Sequence, residues 1–167
     1  IINTPLIIGA DGARSKVRDF SAIETRHWSY KQRAIVATIE LSESHDKTCW
    51  QVFMLTGPLA LLPLAESHFC SIVWSLDEDV ASKWIECSDK TFVDGLNYAI
   101  GDLGPTVTGV STRLHFPLYQ CHAVDYVKQG LALVGDAAHS IHPLAGQGVN
   151  LGLSDARVLG QELTKAK

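Results

Sequence analysis

Two short apolar runs, one near each end of the chain, constrain the fold more than any other feature of the sequence. Leu6-Ile7-Ile8 stops at a Gly-Ala-Asp-Gly turn (residues 9–12), and the run over residues 130–134 stops at Gly135-Asp136. A short apolar run that ends in a glycine turn is typical of a buried strand. The sequence therefore predicts two buried strands, each followed by a turn that carries an aspartate.

The segment between these strands has the pattern of an antiparallel sheet with helices. Strand-like runs with alternating or β-branched residues occupy Ala34–Leu41, Trp50–Met54, Phe69–Trp74 and Val107–Phe116. Apolar residues at helical spacing occupy residues 77–87 and 89–100, and residues 118–126 are expected to form a connector. We therefore expect three segments, in which residues 1–32 and 119–167 form parts of one domain around an inserted sheet at residues 33–118.

Composition excludes several classes of function. A hydrophobic content of 46% over 167 residues is enough for a buried core, and a net charge of -4 gives no basic surface for nucleic acid. The longest apolar run, Met54–Ala65, is interrupted by glycine and proline and is shorter than the roughly 20 residues that a bilayer span requires. The four cysteines form no C-x-x-C pair, so we expect reduced thiols in the cytoplasm and no zinc site.

Asp136 is the first candidate ligand-binding residue. A carboxylate at the carboxyl end of a parallel strand lies where open α/β sheets bind ligands, and it is a good acceptor for sugar or polyol hydroxyls. An aspartate in this position also caps turns, so the residue alone leaves both roles open.

The stretch Pro143-Leu144-Ala145-Gly146-Gln147-Gly148-Val149-Asn150 leads into the last predicted helix, whose apolar residues run from Val149 to Leu163. Glycines allow a ligand to approach the backbone closely, and the first N-H groups of a helix have no partner within the helix. The positive end of the helix dipole favours negative charge on that ligand.

Together these elements resemble the two FAD motifs of class A flavoprotein monooxygenases. Residues 135–153 (G-D-A-A-H-S-I-H-P-L-A-G-Q-G-V-N-L-G-L) resemble the second FAD fingerprint, and residues 9–18 (G-A-D-G-A-R-S-K-V-R) resemble the D-G motif. The sequence of residues 135–153 is most similar to that of the ubiquinone-biosynthesis hydroxylases, including the 2-octaprenylphenol hydroxylase type. The resemblance implies an α/β (α+β) fold: a partial FAD-binding domain of the glutathione-reductase/p-hydroxybenzoate-hydroxylase type with an inserted, mainly antiparallel substrate-domain sheet.

The resemblance also implies roles for individual residues. Asp136, with Gly135, would bind the ribityl hydroxyls of FAD, and Pro143 would lie beside the flavin ring near the reacting substrate. The backbone at Gly146, Gln147, Gly148 and Val149 would hold the pyrimidine edge of the flavin, and Asn150 would support that turn.

In the D-G motif, Asp11 and Gly12 would lie near the FAD pyrophosphate and help the nicotinamide dinucleotide to bind. Arg14 and Arg18 would supply positive charge nearby. For these two arginines, solvated positions on a short helix are an equally good interpretation.

One part of the family pattern is missing. No G-x-G-x-x-G turn with a ribose-binding acidic residue occurs in the sequence, which also lacks an initiator Met. We therefore expect a fragment of a longer protein that binds FAD weakly or not at all by itself.

Other chemistries have less support. Asp136, His139 and His142 have i, i+3, i+6 spacing, but the proline that follows favours a loop, so we expect no metal site and predict that both histidines pack near the flavin or bond to backbone. Ser71 and Ser140 lack the G-x-S-x-G elbow of acyl-transfer enzymes. The aromatic residues of the inserted sheet could line a substrate pocket or fill the core, namely Trp50, Phe53, Phe69, Trp74, Phe116 and Tyr119.

The function implied by the resemblance is hydroxylation of a polyprenylated aromatic ring with FAD, NADH or NADPH, and dioxygen. Such a protein would act in the cytoplasm or peripherally at the inner membrane, alone or in a biosynthetic complex. Three alternatives remain open: an FAD-dependent prenyl-lipid reductase, a non-catalytic lipid-binding or scaffold subunit, and an α/β domain that binds another polyol.

Overall fold

The computed structural model describes residues 3–142 and 147–166. In chain order its elements are β1 (Ile7–Gly9), α1 (Lys16–Phe20), β2 (Thr25–Leu41), β3 (Trp50–Met54), β4 (Gly57–Pro63), β5 (Phe69–Asp77), α2 (Glu78–Glu86), α3 (Asp89–Ile100), β6 (Val107–Val110), β7 (Leu114–Ala123), β8 (Val127–Lys128), β9 (Leu131–Leu133), β10 (His139–Ser140) and α4 (Gln147–Lys165). Short 3-10 turns lie at Gly101–Leu103 and Gly135–Ala137. The chain forms two compact units, one of Ile1–Tyr30 with Tyr119–Lys167 and one of Lys31–Leu118.

The first unit contains the two strands that end in glycine turns. β1 and β9 pair in parallel, with Ile7 opposite Leu131 and Gly9 opposite Leu133, and β8 adds to β9 in the antiparallel direction. Because the two strands are parallel, their carboxyl ends lie at the same edge of the sheet. This pairing places the turn that begins at Ala10 beside the turn that begins at Gly135.

The core of the first unit is small. Its buried apolar residues are Ile23, Ala123, Leu131, Leu133 and Ala138, with Val17 packed against them. An apolar cavity of about 500 Å³ lies between strands β8 and β9 and the later half of α4, which contributes Val158, Leu159 and Leu163. Within the described helix, none of residues 147–165 is fully buried, so the predicted apolar stripe of α4 is largely exposed.

The second unit is built on an antiparallel sheet, as the sequence predicts. β2 pairs with β5 from Gln32 opposite Asp77 to Glu40 opposite Phe69, β4 lies between β5 and β3, and β6 pairs with the end of β2. β2 and β7 each begin in one unit and end in the other.

Aromatic residues of the second unit divide between its core and its surface. Trp74 is 3% exposed, and its ring lies 5.2 Å from that of Trp84 and 5.8 Å from that of Phe92. Phe53 and Phe116 are 71% and 53% exposed. Core packing therefore explains Trp74, whereas it does not explain the two phenylalanines.

Three local predictions differ from the structure. Of the two strands predicted to be buried, β9 is buried, whereas Ile7 and Ile8 of β1 are 49% and 46% exposed, because β1 lies at the edge of the three-stranded sheet. The expected connector at residues 118–126 is wrong, because β7 continues to Ala123, and the expected strand at residues 107–116 is divided into β6 and the start of β7. β4 contains two prolines, which are the second and the last residue of the strand. Along residues 3–142 and 147–166, no helix combines the length and apolar character needed to cross a bilayer.

Candidate functional site

The turn after β9 carries the first candidate residue, Asp136. Gly135 has a φ of 59°, in the left-handed region that favours glycine, and the chain then forms one 3-10 turn that Ala138 closes with an N-H to Gly135 O bond of 2.9 Å. The turn leaves Asp136 exposed, and its carboxylate accepts no hydrogen bond from the residues that the structure describes. It is therefore available to a ligand.

Asp155 of α4 forms hydrogen bonds at both ends of this turn. Its Oδ2 accepts a hydrogen bond from Gly135 N at 2.9 Å and another from His139 Nε2 at 2.6 Å. Sequence reasoning missed Asp155. The available signal was its position three residues after Gly152, which puts both on one face of the helix.

Gly135 and Gly152 bring the turn and the helix into close contact. A Cβ added to Gly152 would lie 3.2 Å from Gly135 Cα, and one added to Gly135 would lie 3.7 Å from Gly152 Cα. A side chain at residue 152 would therefore push the turn away from α4.

The carboxylate of Asp11 caps helix α1. It accepts hydrogen bonds from Ser15 Oγ at 2.5 Å, from Lys16 N at 2.7 Å and from Val17 N at 3.2 Å. These bonds, the one from Ser15 above all, hold the pKa of Asp11 below its usual value. Gly12 has a φ of 82°, so it supplies the turn that lets Asp11 reach forward to the helix.

Arg18 joins the two motifs. It is only 6% exposed, and its guanidinium donates from Nη1 to Ala137 O at 3.0 Å and from Nη2 to Ala13 O at 2.9 Å. Ala137 is 119 residues away in sequence. Arg14, by contrast, is exposed. The interpretation as a solvated charge therefore fits Arg14 and does not fit Arg18.

The remaining predicted residues lie at the start of α4. Gln147, Gly148, Val149 and Asn150 form its first turn, and a Cβ on Gly148 would meet no atom within 4 Å. Pro143 and Gly146, for which we predicted contacts to the flavin, lie outside the described residues.

Two rings, those of His122 and Tyr126, lie beside His139, which follows the turn. Gln120 bridges Tyr30 OH, at 2.5 Å, and His122 Nε2, at 2.7 Å, and His122 Nδ1 lies 3.0 Å from Tyr126 OH. The ring of Tyr126 is 5.7 Å from that of His139. His139 bonds to a carboxylate, and not to backbone as one alternative had it.

His142, the last residue described before the gap, packs edge-on against Tyr30 with ring centroids 5.1 Å apart. Burial lowers the pKa of His142, which favours its neutral form at physiological pH. Among residues 3–142 and 147–166, no three potential ligands are close enough together to hold a metal ion.

FAD is the cofactor that the two motifs imply, and the described part of the site fits its ribityl chain. An exposed carboxylate without a competing partner in the described part of the chain stands at the tip of the turn. The turn itself is fixed by Asp155 on one side and by Arg18 on the other.

Comparison with known proteins supports FAD as the cofactor. The model of a family described as "FAD binding domain" matches residues 2–166. The mitochondrial ubiquinone biosynthesis monooxygenase COQ6 of Danio rerio is 37% identical over 199 residues, covering 99% of this chain and 41% of the relative. The 3-demethoxyubiquinol 3-hydroxylase of Escherichia coli K12 is 39% identical over 170 residues, covering 100% of the chain and 42% of the relative.

Solved structures show the same fold. PqsL, a probable FAD-dependent monooxygenase from Pseudomonas aeruginosa, has a TM-score of 0.76 at 23% identity, over 97% of this chain and 46% of that one. Aklavinone-11 hydroxylase, in a complex with FAD and aklavinone, has a TM-score of 0.66 at 17% identity, over 95% of this chain and 30% of that one.

The chain spans about two fifths of the length of these curated relatives. The family resemblance of the two motifs is confirmed: the chain belongs to the FAD-binding-domain family, and the curated relatives that it matches from end to end include ubiquinone-pathway monooxygenases and hydroxylases.

Proposed function

We propose that residues 3–30 and 119–166 contribute the flavin half of an FAD site, in which Asp136 binds the ribityl hydroxyls. The observation that carries this proposal is the exposed Asp136 carboxylate on a turn fixed by Asp155 and Arg18. An ionised carboxylate that accepts hydrogen bonds from hydroxyl groups contributes about 1.5 to 3 kcal/mol per bond. Gly135 would allow the ribityl chain to approach the backbone.

The other predicted cofactor contacts extend this site. The backbone of Gln147, Gly148 and Val149, at the start of α4, would face the pyrimidine edge of the flavin together with Gly146, and Asn150 would support the turn. The positive end of the α4 dipole would stabilise negative charge there. Pro143 would lie beside the ring.

The D-G motif would act near the FAD pyrophosphate. Three donors already occupy the carboxylate of Asp11, so Asp11 would shape the loop that presents Gly12, without touching the cofactor through its side chain. Arg14, which is exposed, is the better candidate for an electrostatic contact with phosphate or with a nicotinamide dinucleotide.

We further propose that the intact protein hydroxylates a polyprenylated phenol in ubiquinone biosynthesis, with NADH or NADPH as the reductant. Bound FAD would supply the redox chemistry and the activation of dioxygen. The protein would orient the two reactants, exclude water and provide charge stabilisation. The names of the relatives and the family match support this assignment.

The first test is the flavin content of the intact Asp136→Ala variant. We expect its Kd for FAD to rise about 10- to 100-fold, in line with the loss of one hydrogen bond to a charged acceptor. Asp125→Asn is the matched control, because Asp125 is another exposed carboxylate of the same unit. Equal flavin content in Asp136→Ala and wild type would refute the assignment.

The second test follows the oxygen atom. The intact protein is incubated with NADH or NADPH, a polyprenylphenol and isotopically labelled dioxygen, and the mass of the product is measured by mass spectrometry. A hydroxylase incorporates one labelled oxygen atom. A product that forms equally well without dioxygen would identify a reductase, and a protein that retains no flavin would identify a scaffold.

We propose a peripheral association with the membrane that holds the prenylated substrate, at the inner membrane or through a biosynthetic complex. Support comes from the mitochondrial relatives and from the apolar tail of the proposed substrate. Sedimentation of the intact protein with vesicles that contain a polyprenylphenol tests this association.

A further inference from the structure

Asp155 makes contacts that neither motif predicts. A single carboxylate oxygen, Oδ2, accepts from the backbone N-H of Gly135 at 2.9 Å and from the ring of His139 at 2.6 Å. The Asp155 side chain is 27% exposed and that of His139 is 8% exposed, so water competes weakly for these bonds. Because a carboxylate only accepts, His139 Nε2 must carry a proton.

The two donors lie on either side of Asp136 in the sequence. Gly135 precedes it directly and His139 follows three residues later, so one oxygen anchors both ends of the turn. Gly135 also has a left-handed φ, which the bond from its N-H helps to hold. Without this bond, the backbone that sets the direction of the Asp136 carboxylate would have one anchor fewer.

Helix α4 is placed so that Asp155 can reach the turn. Gly152 lies one helical turn before Asp155, and its lack of a side chain lets the helix approach Gly135 closely. The contact from Arg18 reaches Ala137 from a different part of the chain. The turn is thus anchored at Gly135 and His139 by one residue and at Ala137 by another.

We propose that Asp155 is a positioning residue for the FAD site, acting through Gly135 and His139 to hold Asp136 in the direction that binds the ribityl hydroxyls. The inference rests on the proposed function, because it requires that Asp136 binds the cofactor. Asp155 itself does not touch FAD. A binding site whose acceptor is fixed in advance loses less conformational entropy on binding, which raises affinity.

The experiment measures FAD binding to the intact apo-protein by flavin fluorescence titration, for Asp155→Ala, Asp155→Asn, Asp136→Ala and the double alanine variant. We expect Asp155→Ala to raise the Kd for FAD about 10-fold or more, as for a lost bond to a charged group. Asp155→Asn keeps an uncharged oxygen acceptor, so it is expected to recover most of the affinity. Glu162→Ala, which removes an exposed carboxylate of the same helix, is the control and is expected to bind FAD as wild type does.

The double variant separates positioning from a general loss of stability. If Asp155 acts through Asp136, the double variant binds FAD about as weakly as Asp136→Ala alone. If Asp155 supports only the fold, the two losses multiply. Hydrogen exchange of the peptide that covers residues 134–139 gives a readout without cofactor, and we expect faster exchange in Asp155→Ala with no change in Asp136→Ala.

The outcomes distinguish this inference from the proposed function. Normal FAD affinity in Asp136→Ala refutes the role of Asp136 and, with it, the route by which Asp155 would act. Weak binding in Asp136→Ala together with wild-type affinity in Asp155→Ala and Asp155→Asn overturns only the inference about Asp155. Multiplying losses in the double variant also overturn it. If Asp155→Ala fails to fold, Asp155→Ser takes its place, because the serine side chain is one bond shorter and cannot reach both Gly135 N and His139 Nε2. Wild-type FAD affinity in Asp155→Ser then overturns the inference, and a weaker affinity than that of Glu162→Ala supports it.

Discussion

Two glycines of α4 allow a matched test of the contact between this helix and the Asp136 turn. Glycine in a helix costs about 1 kcal/mol relative to alanine, because it loses more backbone entropy on folding. A Cβ on Gly160 would meet no atom within 4 Å. We therefore expect Gly160→Ala to raise the free energy of unfolding by about 0.5 to 1 kcal/mol.

At Gly152 an added Cβ would be crowded by a neighbouring backbone atom. This Cβ would lie 3.2 Å from Gly135 Cα, whereas carbon atoms at their optimal separation are about 3.5 to 4.0 Å apart. The turn or the helix must move by a few tenths of an ångström, and the cost offsets the gain in helix propensity. We expect Gly152→Ala to be about 1 kcal/mol less stable than Gly160→Ala, and Gly152→Val to be less stable still by about 1 to 3 kcal/mol.

Urea unfolding followed by circular dichroism measures these free energies, and flavin fluorescence measures FAD binding by the same variants. We expect FAD affinity to fall for Gly152→Ala and to stay unchanged for Gly160→Ala, because only the first displaces the turn. Equal stabilisation by both substitutions, with equal FAD affinity, would show that the helix and the turn do not approach as closely as described.

Three further predictions concern other parts of the chain. Arg18→Ala should lower the free energy of unfolding, measured in urea, by about 3 kcal/mol, because it removes a buried donor to two backbone carbonyls. Arg18→Lys should recover less than half of this lost stability. Iodoacetamide at neutral pH should modify the exposed Cys49 first, because burial raises the pKa of the Cys70 and Cys121 thiols and blocks access; mass spectrometry that finds equal rates would contradict this. The lowered pKa of Asp11 means that its ionised form stabilises the fold above the unfolded pKa near 4 and that this contribution is lost as pH falls through the lower folded pKa. The difference in Tm between wild type and Asp11→Asn should therefore be present at pH 6 and shrink below about pH 4; a constant difference would contradict it.

Short-range patterns predicted the parts of the fold that depend on local sequence. β1 and β9 lie where apolar runs meet glycine turns, and α3 begins and ends where capping and periodicity place it, at Asp89 and Ile100. β3 matches its predicted range as well. For α3, β3 and β9 a local preference and the tertiary environment agree, whereas the predicted burial of β1 is wrong, since Ile7 and Ile8 are exposed.

The errors arose where distant partners decide the structure. No strand was predicted at residues 57–63, where glycine and proline interrupt the apolar run, yet this strand is paired on both sides, with Pro58 and Pro63 near its ends. β7 continues past Leu118 because β10 pairs with its last part, as in His122 opposite His139. Pairing across such a separation leaves no trace in a local pattern.

The candidate site shows the same division. The exposed position of Asp136 after β9 could be predicted because its motif is continuous in sequence, and its binding of FAD stays a prediction. The contacts of Asp155 depend on the close approach of Gly135 and Gly152, and those of Arg18 on a carbonyl 119 residues away, so neither follows from residue type alone.

The arrangement of the two units has a consequence for the order of folding. The second unit is one continuous stretch, whereas β1 must wait for β9, which the ribosome makes more than a hundred residues later. Closing so long a loop costs conformational entropy that grows with the logarithm of its length. In the second unit, Arg33 Nη1 lies 3.3 Å from His115 Nδ1, so the two ends of that unit are close together once it has folded. The chain segments before and after it then begin close to each other. Early folding of residues 31–118 would shorten the effective loop, and a destabilised insert would slow formation of the β1 and β9 pair without touching either strand.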